Sequence, residues 1–359
     1  MPTLVQIVVR IIVITIFTIV ASAYAIARLV FAHWRAYRRL PRDASCVCAL
    51  FRRSVHKRPD VLDAEGTWRH AFLQLSEIRM HYVESGDTSK QLMVCLHGFP
   101  QFWYSYRYQL RHFSDRFRVI ALDLRGYGET DKPNGVHNYD VEVLGRDVAE
   151  AIQQLSDDAP VILMGHDWGG IIAWHVAIRR AELVSRLVIL NAPHPKAYLK
   201  VVRTSARQIF CSWYMFLFQC PLLAEFFISS LDFSFVESIF YSRPSGFVNP
   251  QNFTADDFAA WKYTFSQSGA LTPPLNYYRA AARAAGGLQY SAELIRPRVL
   301  IVWGELDSAL EVQCAELSVT LCRDARIERI PNASHWVQED VPELVNRYID
   351  SFLKEPDDE

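Results

Sequence analysis

One pentapeptide limits what this chain can fold into more than any other feature: Gly165-His166-Asp167-Trp168-Gly169. The apolar run Val161-Ile162-Leu163-Met164 precedes it, and Gly170-Ile171-Ile172-Ala173-Trp174-His175 follows with the character of a helix. The reading is strand, sharp turn, helix, with small residues on both sides of one exposed side chain. Such a turn is strained, and the strand and helix backbones pass close together. A Cβ at the glycine positions would obstruct both. The side chain displayed in this way is a carboxylate.

A carboxylate attacking carbon makes an ester of the chain itself, which suits epoxides or alkyl halides better than acyl groups. The pattern G-x-D-x-G alone is weak and equally fits a structural turn. Its surroundings make it informative. Arg298-Val299-Leu300-Ile301-Val302-Trp303-Gly304 reads as a buried strand and runs into Glu305-Leu306-Asp307. Arg326-Ile327-Glu328-Arg329-Ile330-Pro331 leads into Asn332-Ala333-Ser334-His335-Trp336. Alone, Asp307 reads as a helix N-cap and His335 as a surface-loop histidine. Together they give the chain order nucleophile, acid, histidine, each just after a strand.

Upstream, Gln91-Leu92-Met93-Val94-Cys95-Leu96 reads as a strand ending in His97-Gly98-Phe99-Pro100. The backbone N–H of Phe99, joined by that of Trp168, can point at an oxyanion. Pro100 keeps Phe99 out of the helical region and helps fix the turn.

Further strands are expected at Ile78–Val83, Arg118–Leu122 and Arg186–Leu190. After Asn191-Ala192-Pro193-His194-Pro195 the β/α alternation stops for roughly a hundred residues. Aromatics crowd there: Trp213, Tyr214, Phe216, Phe218, Phe226, Phe227, Phe233 and Phe235. We read this stretch as a helical lid, most of its rings being lid core, with the α/β core resuming at Arg298. An apolar lid over a polar floor suits a hydrophobic ligand. Opening an epoxide with a carboxylate leaves an alkoxide, which requires a proton donor. A phenol, with a pKa of about 10, stays protonated at neutral pH. The lid offers Tyr214 and Tyr278 among several tyrosines, and at this level they remain alternatives.

The N-terminus reads as separate from this fold. Ile11 to Ala27 is uncharged and mostly apolar between Arg10 and Arg28. Roughly 17 residues at about 1.5 Å each span about 25 Å, enough for a thin bilayer if both arginines snorkel. The basic residues beyond, Arg28, Arg35, Arg38, Arg39, Arg42, Arg52, Arg53, Lys57 and Arg58, put the enzyme on the cytosolic side. Ala21-Ser22-Ala23 resembles a signal-peptide cleavage site, but the uncharged run continues past it. Cys46 and Cys48, in that flank, read as idle thiols or as acylation sites. The odd count of 7 cysteines, without dense spacing, fits reduced thiols. Of the sequons Asn252-Phe253-Thr254 and Asn332-Ala333-Ser334, a glycan on the second would obstruct His335. Hydrophobic residues make up 50 % of the 359 positions and the net charge is -1, so nothing points to nucleic acid. Zinc-like Cys/His spacings and phosphate loops are not among the motifs, and no metal or organic cofactor is expected.

The chain resembles the α/β-hydrolase-fold epoxide hydrolases, most of all the membrane-anchored animal branch. The likeness runs from about His70 to Lys354. It rests on His97-Gly98-Phe99-Pro100, Asp123-Leu124-Arg125-Gly126-Tyr127-Gly128, Gly165-His166-Asp167-Trp168-Gly169 and Ser334-His335-Trp336. In the lid, Tyr214-Met215-Phe216-Leu217-Phe218-Gln219 and Pro274-Leu275-Asn276-Tyr277-Tyr278-Arg279 resemble the family's two tyrosine motifs, the first more loosely. The resemblance implies an α/β fold with a mostly parallel sheet flanked by helices, an inserted helical lid and an N-terminal transmembrane helix. The segments are an anchor and basic linker at 1–60, core at 70–195, lid at 196–296 and core again at 297–359. It further implies Asp167 as nucleophile, His335 as general base, Asp307 as the acid orienting it, and Tyr214 and Tyr278 as donors to the epoxide oxygen. Tyr277 is then a neighbour, and Phe99 and Trp168 supply the oxyanion-hole N–H groups. The substrates implied are lipophilic epoxides, epoxy fatty acids among them, and an endoplasmic reticulum location fits the anchor. The rival readings are a haloalkane dehalogenase, in which Asn often stands where this chain has Phe99, and a non-catalytic lipid-binding or scaffold protein.

Overall fold

The computed structural model describes residues 4–39, 56–63, 67–284 and 294–356. Cys46 and Cys48, and with them Arg42, Arg52 and Arg53, lie outside the described residues. The chain starts with helix α1 (Leu4–Arg39) and then enters the strands β1 (Arg69–Gln74), β2 (Arg79–Ser85) and β3 (Leu92–Leu96). Helix α2 (Arg107–Phe113), β4 (Arg118–Leu122), α3 (Val141–Ser156), β5 (Val161–His166), α4 (Trp168–Arg179) and β6 (Val184–Leu190) follow.

Between β6 and the next strand the described residues are helical or irregular. They form α5 (Pro195–Thr204), α6 (Ala206–Cys211), α7 (Trp213–Leu217), α8 (Leu223–Tyr241, broken at Ser230–Phe233), α9 (Ala255–Ser266) and α10 (Thr272–Ala284). The core closes with β7 (Arg298–Gly304), α11 (Gln313–Val319), β8 (Ala325–Ile330), α12 (Val337–Asp340) and α13 (Pro342–Lys354).

Among the described residues, one eight-stranded sheet runs in the order β1-β2-β4-β3-β5-β6-β7-β8. β2 pairs antiparallel with both β1 and β4, and the strands from β4 to β8 are parallel. The central strands β3, β5 and β7 are buried almost throughout, because helices cover both faces and a parallel strand there can be apolar along its whole length. That is why they stand out in the sequence. β1 does not. It is a half-exposed edge strand, Arg-His-Ala-Phe-Leu-Gln, with neither a continuous apolar run nor a clean alternation, and the sequence reading missed it. β5 and β6 also extend beyond the expected Met164 and start before the expected Arg186.

Register decides where chemistry can sit. Leu96 pairs with Gly165, His166 with Leu190, and Gly304 with Ile330, so these strands end together at one edge of the sheet. The chain leaves that edge at residues 97–99, 167, 191, 305–307 and 331–335. Loops from several strands therefore converge there, as is usual at the carboxyl edge of an open α/β sheet.

The lid is pinned over this edge by directional bonds. Tyr277 Oη donates to the Arg125 carbonyl at 2.7 Å, Trp336 Nε1 to the Ser245 carbonyl at 3.0 Å, and Asn249 N–H to Asp340 at 2.7 Å.

The N-terminus departs from the sequence reading, which set it apart from the fold. α1 continues well past Arg28, and it packs on the lid: Phe17 stacks on Phe216 at 5.0 Å, and Tyr24 meets Trp213 edge-on at 5.2 Å. Ala21, Ala25 and Leu29 are buried in that contact face. Over Ile12–Arg38, α1 is the one helix among the described residues long and apolar enough to cross a membrane.

Candidate active site

Asp167 occupies the turn between β5 and α4 with φ 49° and ψ −119°, a strained conformation for a residue with a Cβ. Its neighbours make the turn possible. A Cβ on Gly98 would lie 2.4 Å from the Asp167 Cβ, and one on Gly169 would lie 2.0 Å from the Leu96 carbonyl oxygen. Gly165 is equally barred, by the Gly169 carbonyl at 2.4 Å. Only glycine lets β3, β5 and α4 approach so closely. The strain presents the carboxylate at the sheet edge, with 14 % of its side chain accessible.

The two oxygens of Asp167 have different surroundings. Oδ1 accepts the Phe99 backbone N–H at 2.8 Å, and the nearby Trp168 N–H also favours the charged carboxylate. Oδ2 faces His335 Nε2 at 3.7 Å. Burial raises the Asp167 pKa, against the opposing effect of His335 and the two N–H groups.

His335 Nδ1 bonds Asp307 Oδ2 at 2.6 Å. The other bonds to Asp307 all come from donors: Asn191 Nδ2 at 2.8 Å on Oδ2, and the N–H groups of Ala309 at 2.7 Å and Leu310 at 2.9 Å on Oδ1. With its acceptor sites so occupied, Asp307 takes a proton-bearing Nδ1 from the imidazole, and in the neutral ring Nε2 is left as the free base. Burial alone would lower the His335 pKa, but Asp307 and Asp167 outweigh it and hold it above the ordinary histidine value.

Two phenols lie over Asp167. Tyr278 sits edge-on to Trp168, with ring centroids 5.1 Å apart, and to Phe99 at 5.4 Å. Its ring centroid is 5.9 Å from that of Tyr214. Burial, followed by the nearby Asp167 charge, raises both phenols well above 10, so they stay protonated. Tyr277 points elsewhere, its hydroxyl spent on the Arg125 carbonyl. Phe218 packs against both tyrosines and Phe99, giving the floor an aromatic surround.

Asp167, His335, Asp307, Tyr214, Tyr278 and the N–H groups of Phe99 and Trp168 thus share one site. Sequence reasoning overlooked its braces. Asn191, at φ 39°, ties β6 to the acid loop, donating to Asp307 and accepting the Gly304 N–H at 2.8 Å. An Asn directly after a buried strand, where the chain leaves the sheet, was the available signal, since Asn tolerates left-handed backbone. His166, kept neutral chiefly by burial, bonds the His335 carbonyl through Nε2 at 2.9 Å. Away from the site, His70, His81 and Glu129 bring possible metal-ligand atoms within 4.8 Å of one another. There the two histidines bond each other at 2.9 Å, and His81 Nδ1 bonds Asp123 at 2.7 Å, which ties β1 and β2 to the loop after β4.

Sheet order, glycine-lined turn and loop convergence define an enzyme scaffold of the α/β-hydrolase type, with aspartate on the turn after β5. The alpha/beta hydrolase fold family matches residues 91–342. The chain is 44 % identical over 301 residues to Epoxide hydrolase 2 of Caenorhabditis elegans, covering 84 % of this chain and 83 % of that protein. It is 39 % identical over 310 residues to human Epoxide hydrolase 4, covering 85 % and 84 %. The crystal structure of the Bacillus megaterium epoxide hydrolase with an inhibitor superposes with a TM-score of 0.73 at 29 % identity, covering 79 % of this chain and 100 % of that one. The chain belongs to the alpha/beta hydrolase fold family and, within it, to the epoxide hydrolases.

Proposed function

We propose that this protein hydrolyses lipophilic epoxides to vicinal diols through an ester on Asp167. The observation that carries the reading is the pair of protonated phenols, Tyr214 and Tyr278, over a carboxylate whose Oδ1 is already held by the Phe99 N–H. In the first step Asp167 Oδ2 attacks a ring carbon. The C–O bond breaks and the ring oxygen takes a proton from a tyrosine. The oxygen bound to Phe99 N–H becomes the ester carbonyl. In the second step His335 Nε2 removes a proton from water, which attacks that carbonyl carbon. The N–H groups of Phe99 and Trp168 then hold the oxyanion, each donor of this kind contributing about 3–4 kcal/mol. Collapse expels the diol oxygen. The two water protons, one on His335 and one on the Asp167 carboxyl, pass to that oxygen and to the tyrosinate.

The haloalkane dehalogenase reading shares the carboxylate and the base. It needs the Trp168 indole for halide, whereas here the Trp168 ring packs edge-on against the Tyr278 ring, with centroids 5.1 Å apart. The phenols would have no task in that chemistry. Tyr278→Phe is expected to slow alkylation by ~10²-fold or more, the usual size of a lost proton donor, while ester hydrolysis changes little. Rapid-quench measurement of both steps tests this. Equal slowing of the two contradicts the donor role.

The base has its own pH signature. In the free enzyme Asp307 and Asp167 both raise the His335 pKa. Esterification removes the Asp167 charge, so the His335 pKa falls once the ester has formed and the base becomes neutral when it is needed. The acid limb of ester hydrolysis is therefore expected at lower pH than the titration of His335 in the free enzyme. Single-turnover rates against pH, set beside the histidine NMR titration, provide the check; an unchanged or higher value refutes it.

We read α1 as a membrane anchor. The basic flank, Arg28, Arg35 and Arg38 among it, supports a cytosolic active site and an endoplasmic reticulum location. The anchor and the aromatic surround of Asp167 together favour lipophilic substrates, epoxy fatty acids among them.

A further inference from the structure

The contacts between α1 and the lid do more than tether the enzyme. Ser22 Oγ lies 3.2 Å from Cys220 Sγ, and His33 stacks on Phe226 with ring centroids 6.1 Å apart. With Phe17 on Phe216 and Tyr24 on Trp213, the lid follows α1 for about 24 Å of helix, at about 1.5 Å per residue. Phe17 precedes Arg28 by about 16 Å on the same scale. If Arg28 marks the edge of the hydrocarbon layer, Phe17 and the Phe216 ring stacked on it lie on its apolar side. Any membrane that α1 crosses must accept this part of the lid as well.

The lid carries side chains suited to that place. Leu222 is 82 % exposed and Phe210 is 73 % exposed, with Phe226 at 40 %. Leu222 also sits at φ 65°, a conformation that costs a non-glycine residue energy. In water the exposure of these large apolar side chains is uncompensated. Lys200 and Arg203, exposed on α5 beside the exposed Leu199, form a basic border of the kind that faces lipid headgroups. The same short helix, α7, turns Trp213 and Phe216 toward α1 and Tyr214 toward the Asp167 site.

We propose that the lid face bearing Phe210, Leu222 and Phe226 is immersed in the leaflet beside α1, so that the site takes its substrate from the bilayer rather than from water. The occupant of this face is lipid acyl chain. Lipid contact stands independently of the reaction; the entry route rests on the epoxide-hydrolase reading above. The substrates so favoured are epoxides that partition into membranes, and the α1–lid contact fixes the site at a set depth.

The test uses the full chain in phosphatidylcholine vesicles, with p-benzoylphenylalanine in place of Phe210, Leu222 or Ala159 in three separate variants. Ala159 is exposed at the opposite edge of the sheet, where β5 begins. On irradiation, intact phosphatidylcholine should add to positions 210 and 222 and stay at background at 159. No lipid adduct at 210 and 222, equal labelling at all three, or cross-linking to a second copy each overturns the proposal. A second variant, Leu222→Asp, should lose severalfold activity on a long-chain epoxide in vesicles and retain it on a small water-soluble epoxide. Equal loss on both overturns bilayer entry. If the parent chain turns over neither epoxide, the epoxide reading fails, while lipid labelling at 210 and 222 still decides the docking surface.

Discussion

Asp167→Ala should abolish the alkyl-enzyme adduct and diol formation together, with a loss of at least ~10⁴-fold, the scale on which removal of a nucleophile is felt. The geometry leaves no substitute. The other carboxylate of the site, Asp307, has Oδ1 and Oδ2 engaged by Asn191, His335 and two backbone N–H groups. It also lies on the Nδ1 side of the imidazole, whereas Asp167 faces Nε2. His335 could in principle direct water onto an epoxide without Asp167, but Oδ2 is the atom its Nε2 faces, 3.7 Å away. Stability should change little, because alanine removes a desolvated carboxylate and keeps the Cβ that the turn already accepts. Diol formation surviving in Asp167→Ala, measured with the fold verified by circular dichroism, would refute the nucleophile assignment.

His335→Gln should separate the two half-reactions. Alkylation needs the carboxylate, the phenols and the N–H groups, none of which the substitution removes. Hydrolysis needs a base at Nε2, and glutamine offers none near neutral pH. The alkyl-enzyme should therefore form and persist, with steady-state turnover reduced by ~10³-fold or more. The substitution also leaves Asp307 buried without its imidazole partner. Part of that cost is relieved, because Asn191 and the Ala309 and Leu310 N–H groups still hold the carboxylate.

Legibility in the sequence followed burial and backbone constraint. The parallel centre was readable because β3, β5 and β7 are covered on both faces and thus apolar without interruption, and the turn after β5 because close packing admits only glycine there. β1 was not readable, since a half-exposed edge strand obeys no strict pattern. Asp307 could be named because it follows such a strand, whereas His335 follows the half-exposed edge strand β8 and was named from its place in the order nucleophile, acid, histidine. Asn191 and His166 could not, because their roles depend on which loops meet in space. The resemblance separated Tyr277 from Tyr278, which adjacent positions on one helix could not do by composition. The packing of α1 on the lid was hidden for a related reason: an apolar run declares its preference for lipid or protein, but not which of its faces meets which.

The most direct test of an ester on Asp167 formed from an epoxide is the intact mass of His335→Gln after mixing with an epoxy fatty acid and, separately, with a long-chain alkyl bromide. Addition of the whole epoxide mass, mapped to the peptide bearing Asp167, is the result expected. An adduct from the bromide alone, lighter than the reagent by HBr, would contradict it and make the protein a dehalogenase.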